Sequence, residues 1–185
     1  GALLLGVLYD HIGRIQDEDM RDKTVSRMMQ RYHVDAPQAR RVEALALALH
    51  AALEEYVSDL DAESAQLLRW AALLHEVGKS ISVSGYHRHS AYILHYADMP
   101  GFSRKDQLDL AMLVYAQRGK LSNVAKRDEY RDLLTRKTWA LVLCLRLAIL
   151  FYRARQDMAT QWLLTKHKKV IQLTIPGKWL ERNPL

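Results

Sequence analysis

The sequence is poor in residues that interrupt helices, since its 185 residues include only 4 Pro and 8 Gly. This scarcity favours long helices over a loop-rich or all-β fold. The single cysteine, Cys144, excludes an internal disulfide and is typical of a reducing compartment, so we expect a cytoplasmic protein. Cys144 lies in the apolar run WALVLCLRLAIL, where we expect a buried, unreactive thiol.

Long apolar runs and aromatic residues are also scarce. WALVLCLRLAIL and ALLLGVL are both shorter than the roughly 20 apolar residues of a membrane-spanning helix, so no span is predicted. The opening GALLLGVLYD lacks the basic segment of a signal peptide and begins with Gly rather than Met, so we expect a piece of a longer protein. Aromatic residues make up 8% of the chain and give little sign of a base-stacking platform, so no specific nucleic-acid partner is expected.

Positive charge is concentrated in one segment. Residues 1–117 carry 12 Lys/Arg against 16 Asp/Glu, whereas residues 118–169 carry 13 against 4, a net charge of +9. The whole chain has a formal net charge of only +6. The uneven distribution predicts a polyanionic partner, although a solvated basic face without a ligand is the alternative.

Apolar residues recur at helical spacing along most of the chain and predict a mainly α bundle. The predicted helices are residues 17–32, a helix capped by Asp35 with Pro37 in its first turn, a helix from Asp61 to Gly78, residues 89–97, a helix opened by a capping box of Ser103 and Asp106, and residues 127–155. After residue 156, TQWLLT and KVIQLTI flank the turn-like KHKK and predict a small β hairpin.

Histidines and a carboxylate lie close together in residues 73–94, LLHEVGKSISVSGYHRHSAYIL. His75 and Glu76 are adjacent at the end of a predicted helix, where both side chains could reach one metal ion. His87 and His89 are possible further ligands at the start of the next helix. The alternative is that His75 only caps helix carbonyls.

Four basic residues are better explained as ligands of an anion: Arg88, His89, Arg118 and Arg146. Guanidinium groups bind phosphate bidentately, and the helix N-terminus near His89 favours negative charge. Arg146 interrupts an apolar run, so it must be paired in the interior or open onto a polar groove. Surface salt bridges are the alternative for each. No Ser-His-Asp spacing, nucleophile elbow or glycine-rich phosphate cradle is found, so no catalytic residues are predicted.

Several segments together resemble the helical C-terminal region of bacterial exopolyphosphatases, in the family shared with guanosine pentaphosphate phosphohydrolases. They are GVLYD with DMRDKTV, YHVDAPQARRV, LLRWAALLHEVGKSISVSGYHRHSAYIL, DMPGFS and LRLAIL. The resemblance implies an HD-like helical domain over residues 1–156 and the start of a small β appendage over residues 157–185. Actin-like catalytic domains would lie upstream. One departure is Leu4-Leu5, where the family usually has Arg-Glu.

The resemblance also implies a function. The parent enzyme would release terminal phosphate from inorganic polyphosphate with Mg²⁺, while this region, with no cofactor of its own, would grip the polymer through a basic channel and form a homodimer. The same domain of a guanosine pentaphosphate phosphohydrolase is the close alternative. An independent HD-type metal phosphohydrolase and a helical nucleic-acid-binding module are the others.

The helical region also resembles HD-type phosphohydrolase domains, and this resemblance decides whether a metal is expected. HD domains hold metal with a His at the start of a long helix, an adjacent His-Asp and a later Asp; the corresponding residues here are Gln38, His75, Glu76 and Ile149. An amide and an isoleucine cannot replace a His and a carboxylate, so the resemblance implies no metal. The family also tends to have His-Arg where this chain has Gln117-Arg118. We expect the shell of a former metal site, kept for packing and anion contact.

Overall fold

The computed structural model describes residues 1–157 and 161–182, with residues 17–19 described as helical backbone only. This part of the chain is mainly helical and ends in a small antiparallel hairpin, which confirms the predicted fold class. The helices are α1 (Ala2–Arg31), α2 (Ala36–Glu54), α3 (Ala62–Leu74), α4 (Tyr86–Tyr96), α5 (Arg104–Tyr115), α6 (Leu121–Ala125), α7 (Asp128–Arg131), α8 (Arg136–Phe151) and α9 (Gly177–Arg182).

The hairpin follows α8 and has a two-residue turn. Strand β1 (Leu163–His167) pairs with β2 (Val170–Thr174), and Lys168 and Lys169 form the turn between them. Two of the four residues in KHKK therefore belong to β1 rather than to the turn. Apolar side chains of the hairpin pack against the helical core, so the two strands do not stand alone.

Two helix starts are where local capping signals place them. The Asp35 carboxylate accepts a hydrogen bond from the backbone N–H of Gln38 at 3.1 Å, and Pro37 lies in the first turn of α2. Ser103 and Asp106 form the reciprocal capping box of α5. Side-chain oxygens at these positions satisfy backbone N–H groups that lack a partner within the helix.

Other boundaries differ from the prediction. α1 begins at Ala2 rather than near residue 17, and α4 begins at Tyr86 rather than at His89. Helix α3 ends at Leu74, and Gly78 lies in a 3₁₀ turn (Val77–Ser80) that is held against α4. The segment 127–155 is not one helix, because a capping box of Thr135 and Thr138 starts α8 anew.

The core lies between α2, α3, α5 and α8, whose apolar faces meet in one buried cluster. Cys144 is fully buried within it, as predicted, and burial raises the pKa of its thiol to about 12. Ile149 is half-buried against the same cluster. Across the described residues, no helix is both long enough and apolar enough to cross a membrane.

Candidate functional site

The candidate site is the corner where the end of α3, the 3₁₀ turn and the start of α4 meet. The backbone carbonyl of His75 accepts hydrogen bonds from Ser90 Oγ at 3.0 Å and from Gln117 Nε2 at 2.8 Å. Ser90 Oγ also accepts from the N–H of Gly78 at 2.8 Å. These contacts join three separate segments, so the corner is fixed by long-range hydrogen bonds rather than by local helix signals.

His75 is buried and neutral. Its Nδ1 lies 2.6 Å from the carbonyl oxygen of Ala72, and because a carbonyl can only accept, Nδ1 carries the hydrogen. Burial lowers the pKa of His75, which keeps the imidazole uncharged. The other ring nitrogen, Nε2, lies 3.8 Å from Glu76 Oε1 and has no hydrogen-bond partner among the described residues.

Glu76 is a buried carboxylate that binds two cations. Lys79 Nζ lies 2.5 Å from its Oε1, and the Arg155 guanidinium pairs with the same oxygen. Arg155 also donates to Asp35 at the start of α2, at 2.8 Å. Burial alone would raise the pKa of Glu76, but the hydrogen bonds and positive charges of Lys79 and Arg155 lower it below its ordinary value. Glu76 is therefore ionised and joins α3 to the segment after α8.

The residues present do not fit a divalent metal. Glu76 is held by two cations, and Gln38 donates from Nε2 to the carbonyl of Tyr152 at 2.8 Å. Ile149 offers no donor atom. Within residues 1–157 and 161–182, no three His, Cys, Asp or Glu side chains are grouped closely enough to hold a metal ion. A transition metal held by His and carboxylate ligands needs at least three of them from the protein, and only His75 and Glu76 meet here.

Basic side chains surround Tyr86 and His87 at the start of α4. Lys79 Nζ lies 4.8 Å from the centroid of the Tyr86 ring, and the guanidinium carbon of Arg118 lies 5.1 Å from it. The pKa of His87 is lowered first by burial and then by the positive charges of Arg88, Arg118 and His89. We call this group of basic side chains the basic corner; its members are Lys79, Arg88, His89 and Arg118.

Arg146 holds the turn that carries Arg118 by hydrogen bonds to its backbone. Its Nη1 donates to the carbonyl oxygens of Ala116 and Gly119, each at 3.0 Å, and these residues flank Arg118 in the chain. The structure thus places Arg88, His89 and Arg118 together and puts Arg146 beneath the turn that carries Arg118. Reasoning from the sequence missed Lys79 and Tyr86, although Lys79 is only four residues from His75 in the quoted segment.

Sequence comparison with known proteins identifies the family of the chain. Residues 20–185 match the family described as Ppx/GppA phosphatase, domain III, and the chain belongs to that family. Two relatives carry the name guanosine-5'-triphosphate,3'-diphosphate pyrophosphatase. The one from Pseudoalteromonas translucida (strain TAC 125) is 34% identical over 189 residues, and the one from Pseudoalteromonas atlantica (strain T6c / ATCC BAA-1087) is 34% identical over 191 residues. Each alignment covers 100% of this chain but only 37% of the relative.

Proposed function

We propose that this chain is a polyphosphate-binding, dimerising part of a Ppx/GppA phosphatase and carries no catalytic residue of its own. The observation that carries the proposal is the basic corner, where the exposed Arg88 and Arg118 gather with His89 and Lys79 at the N-terminal end of α4. Phosphate release, with Mg²⁺, would take place in upstream actin-like domains. Family membership supports a role in phosphate-ester or phosphoanhydride chemistry.

The chemistry of the basic corner suits a chain of phosphates. Arg88 and Arg118 are exposed and offer guanidinium groups for bidentate contact. The Arg118 guanidinium lies over the Tyr86 ring, which restricts the side chain, and Arg118 is exposed where an anion can approach. The N-terminal end of α4 adds the positive end of the helix dipole, although the N–H groups of Tyr86 and Arg88 already donate to Val83 and Gly85. A polymer that presents phosphates at short, regular intervals could contact several of these groups at once.

We infer that the buried pair His75 and Glu76 at the end of α3 is the remnant of an HD-type metal site in which cations have replaced the metal. Lys79 and Arg155 supply the positive charge beside Glu76. This arrangement disfavours an independent metal phosphohydrolase, because a metal would have to displace two charge-assisted hydrogen bonds before it reached one carboxylate.

The second candidate function is the same domain of a guanosine pentaphosphate phosphohydrolase. The observation in its favour is the name that both relatives carry, guanosine-5'-triphosphate,3'-diphosphate pyrophosphatase. The two functions share the fold described here and differ in the substrate accepted at the catalytic site. Turnover of both substrates by the full-length protein would distinguish them.

Removing the exposed arginines should weaken polyphosphate binding. We expect Arg88→Ala and Arg118→Ala each to lower the affinity about three- to tenfold and to reduce the slope of log affinity against log salt by about 0.7, since each change removes one phosphate contact. Arg146→Ala should act in the same direction by releasing the turn that carries Arg118. The measurement is binding of long-chain polyphosphate across a salt series.

Arg27→Ala on α1 is the matched control, because Arg27 is exposed and lies outside the basic corner. Single-stranded RNA of equal charge is the competitor. Unchanged affinity in all three variants would contradict polyphosphate binding at the basic corner. Equal displacement by RNA would reduce the basic corner to a general polyanion surface.

The proposed dimer contact is the N-terminal part of α1. Leu5, Leu8, Ile12 and Ile15 follow the 3-4-3 spacing of a helix–helix seam and are 57%, 50%, 46% and 53% exposed. Exposed apolar side chains in one stripe are typical of an interaction surface. A second copy of the same helix would bury the stripe in a symmetric contact.

Charging that stripe should separate the dimer. We expect Leu8→Lys/Ile12→Lys to shift the chain to a monomer in light scattering coupled to gel filtration, because two buried lysines in a seam are costly. The control is Tyr9→Lys/Gln16→Lys, with the same charge on an adjacent face of the same helix. A wild-type chain that is monomeric at high concentration, or a charged stripe that still dimerises, would contradict this contact.

A further inference from the structure

A cavity of about 440 Å³ lies between the helices and the β hairpin, apart from the basic corner. Helices α2 and α8 form one wall and the hairpin forms the other. Its floor is apolar and includes the rings of Tyr56 and Trp139 together with Leu53, Leu143 and Ile171. Cavities of this volume with mostly apolar linings are typical binding sites for small molecules.

The rim of the cavity has a single sign of charge. Arg136, Lys166, Lys168 and Lys169 line it, and no Asp or Glu is among the described residues that do so. Arg136 is positioned by a hydrogen bond of 3.0 Å from Nη2 to the carbonyl of Tyr56. Within the described part of the chain, none of the three lysines has an ion-pair partner. The rim is therefore uncompensated positive charge next to an apolar surface.

We propose that this cavity binds a nucleotide, with the base against the apolar floor at Trp139 and the phosphates among the cations of the rim. The ligand must join a planar apolar part to an anionic part, because the cavity joins the two complementary surfaces. Aromatic side chains stack with bases, and arginine and lysine bind phosphate. Inorganic phosphate chains would satisfy only the rim and leave the apolar floor unused.

Position 143 allows a direct test of the site. Leu143 is 42% exposed, so a charged residue there can be tolerated by the fold. Leu143→Glu places a negative charge inside the cavity and should reduce ATP affinity at least about tenfold by repulsion. Leu143→Lys, of similar size and opposite charge, should keep or strengthen binding. Thermal unfolding of both variants checks that the fold is intact.

The experiment is titration calorimetry at low salt with ATP, tripolyphosphate and adenosine. We expect ATP to bind at least about tenfold more tightly than tripolyphosphate or adenosine. Lys166→Gln/Lys169→Gln should weaken ATP binding about tenfold, while the control Lys126→Gln/Lys178→Gln, with the same change in net charge, should leave it unchanged. All titrations are made in the Arg88→Ala/Arg118→Ala background, so that the basic corner cannot bind the phosphates and the measured affinity belongs to this cavity.

Three results would overturn the proposal. One is the absence of ATP binding at low salt. Another is equal binding of tripolyphosphate and ATP, which would make the rim a simple anion patch. The third is full ATP binding by Leu143→Glu, which would place the nucleotide elsewhere on the chain.

Discussion

Replacing Glu76 by Gln is expected to lower the free energy of unfolding by about 2–3 kcal/mol near pH 7. The amide has almost the same volume but no charge, so Lys79 and Arg155 lose the carboxylate that compensates them. Full burial of both cations would make the loss larger. Their side chains are 29% and 37% exposed, so water screens part of the unpaired charge. Urea denaturation of the two proteins at pH 7 measures the difference.

Lowering the pH should remove the same contribution of ionised Glu76 to the free energy of unfolding. The pKa of Glu76 is lower in the folded chain than its ordinary value of 4.5, so the unfolded chain binds a proton at higher pH than the folded chain does. The stabilisation by the Glu76 ion pairs is complete above about pH 4.5 and is lost as the pH falls through the folded-state pKa of Glu76. The difference in free energy of unfolding between wild type and Glu76→Gln should therefore be constant near neutral pH and become smaller below about pH 4.5.

Glu55→Gln is the matched control for this prediction, because Glu55 is exposed and follows α2. A change there should stay within about 0.5 kcal/mol. If Glu76→Gln is as stable as wild type at pH 7, the ion pairs contribute nothing measurable and the corner is held by packing and by the hydrogen bonds to His75 alone.

The parts of the fold that sequence predicts well are those set by local signals. Asp35 and the Ser103–Asp106 pair cap their helices through neighbours three residues away, so the sequence contains the whole cause. The hairpin also depends on short apolar strands around a tight turn. A third local signal, the Thr135–Thr138 capping box, was hidden inside a longer apolar pattern, and the helix over 127–155 was wrong for that reason.

The parts that sequence predicts poorly depend on distant contacts. Helix α3 ends before Gly78 because Ser90, twelve residues later, binds the Gly78 N–H. Arg155 is 79 residues from Glu76, and its backbone has a φ of +55°, which periodicity cannot reveal. An arginine within an apolar run needs a polar partner, and only the fold identifies the partners of Arg146 as the carbonyls of Ala116 and Gly119.

Adding one methyl group at Gly78 should destabilise the chain by about 3 kcal/mol. A Cβ there would lie 2.3 Å from the backbone nitrogen of Ser90 and 2.4 Å from the carbonyl oxygen of Tyr86. Both atoms belong to the first turns of α4 and cannot rotate away as a side chain could. The 3₁₀ turn and α4 would have to separate, which breaks the hydrogen bond between Gly78 and Ser90. Thermal and urea unfolding of Gly78→Ala measure the cost.

Gly13→Ala is the control of opposite sign. Gly13 lies within α1 with open space around its Cα, so alanine should stabilise that helix by about 0.5–1 kcal/mol.

Because Tyr86, Arg88 and His89 move with α4, Gly78→Ala should also weaken polyphosphate binding while the protein remains folded at low temperature. Wild-type stability in Gly78→Ala would mean that the turn can shift without cost. The close approach of the 3₁₀ turn to α4 would then not be what positions the basic corner.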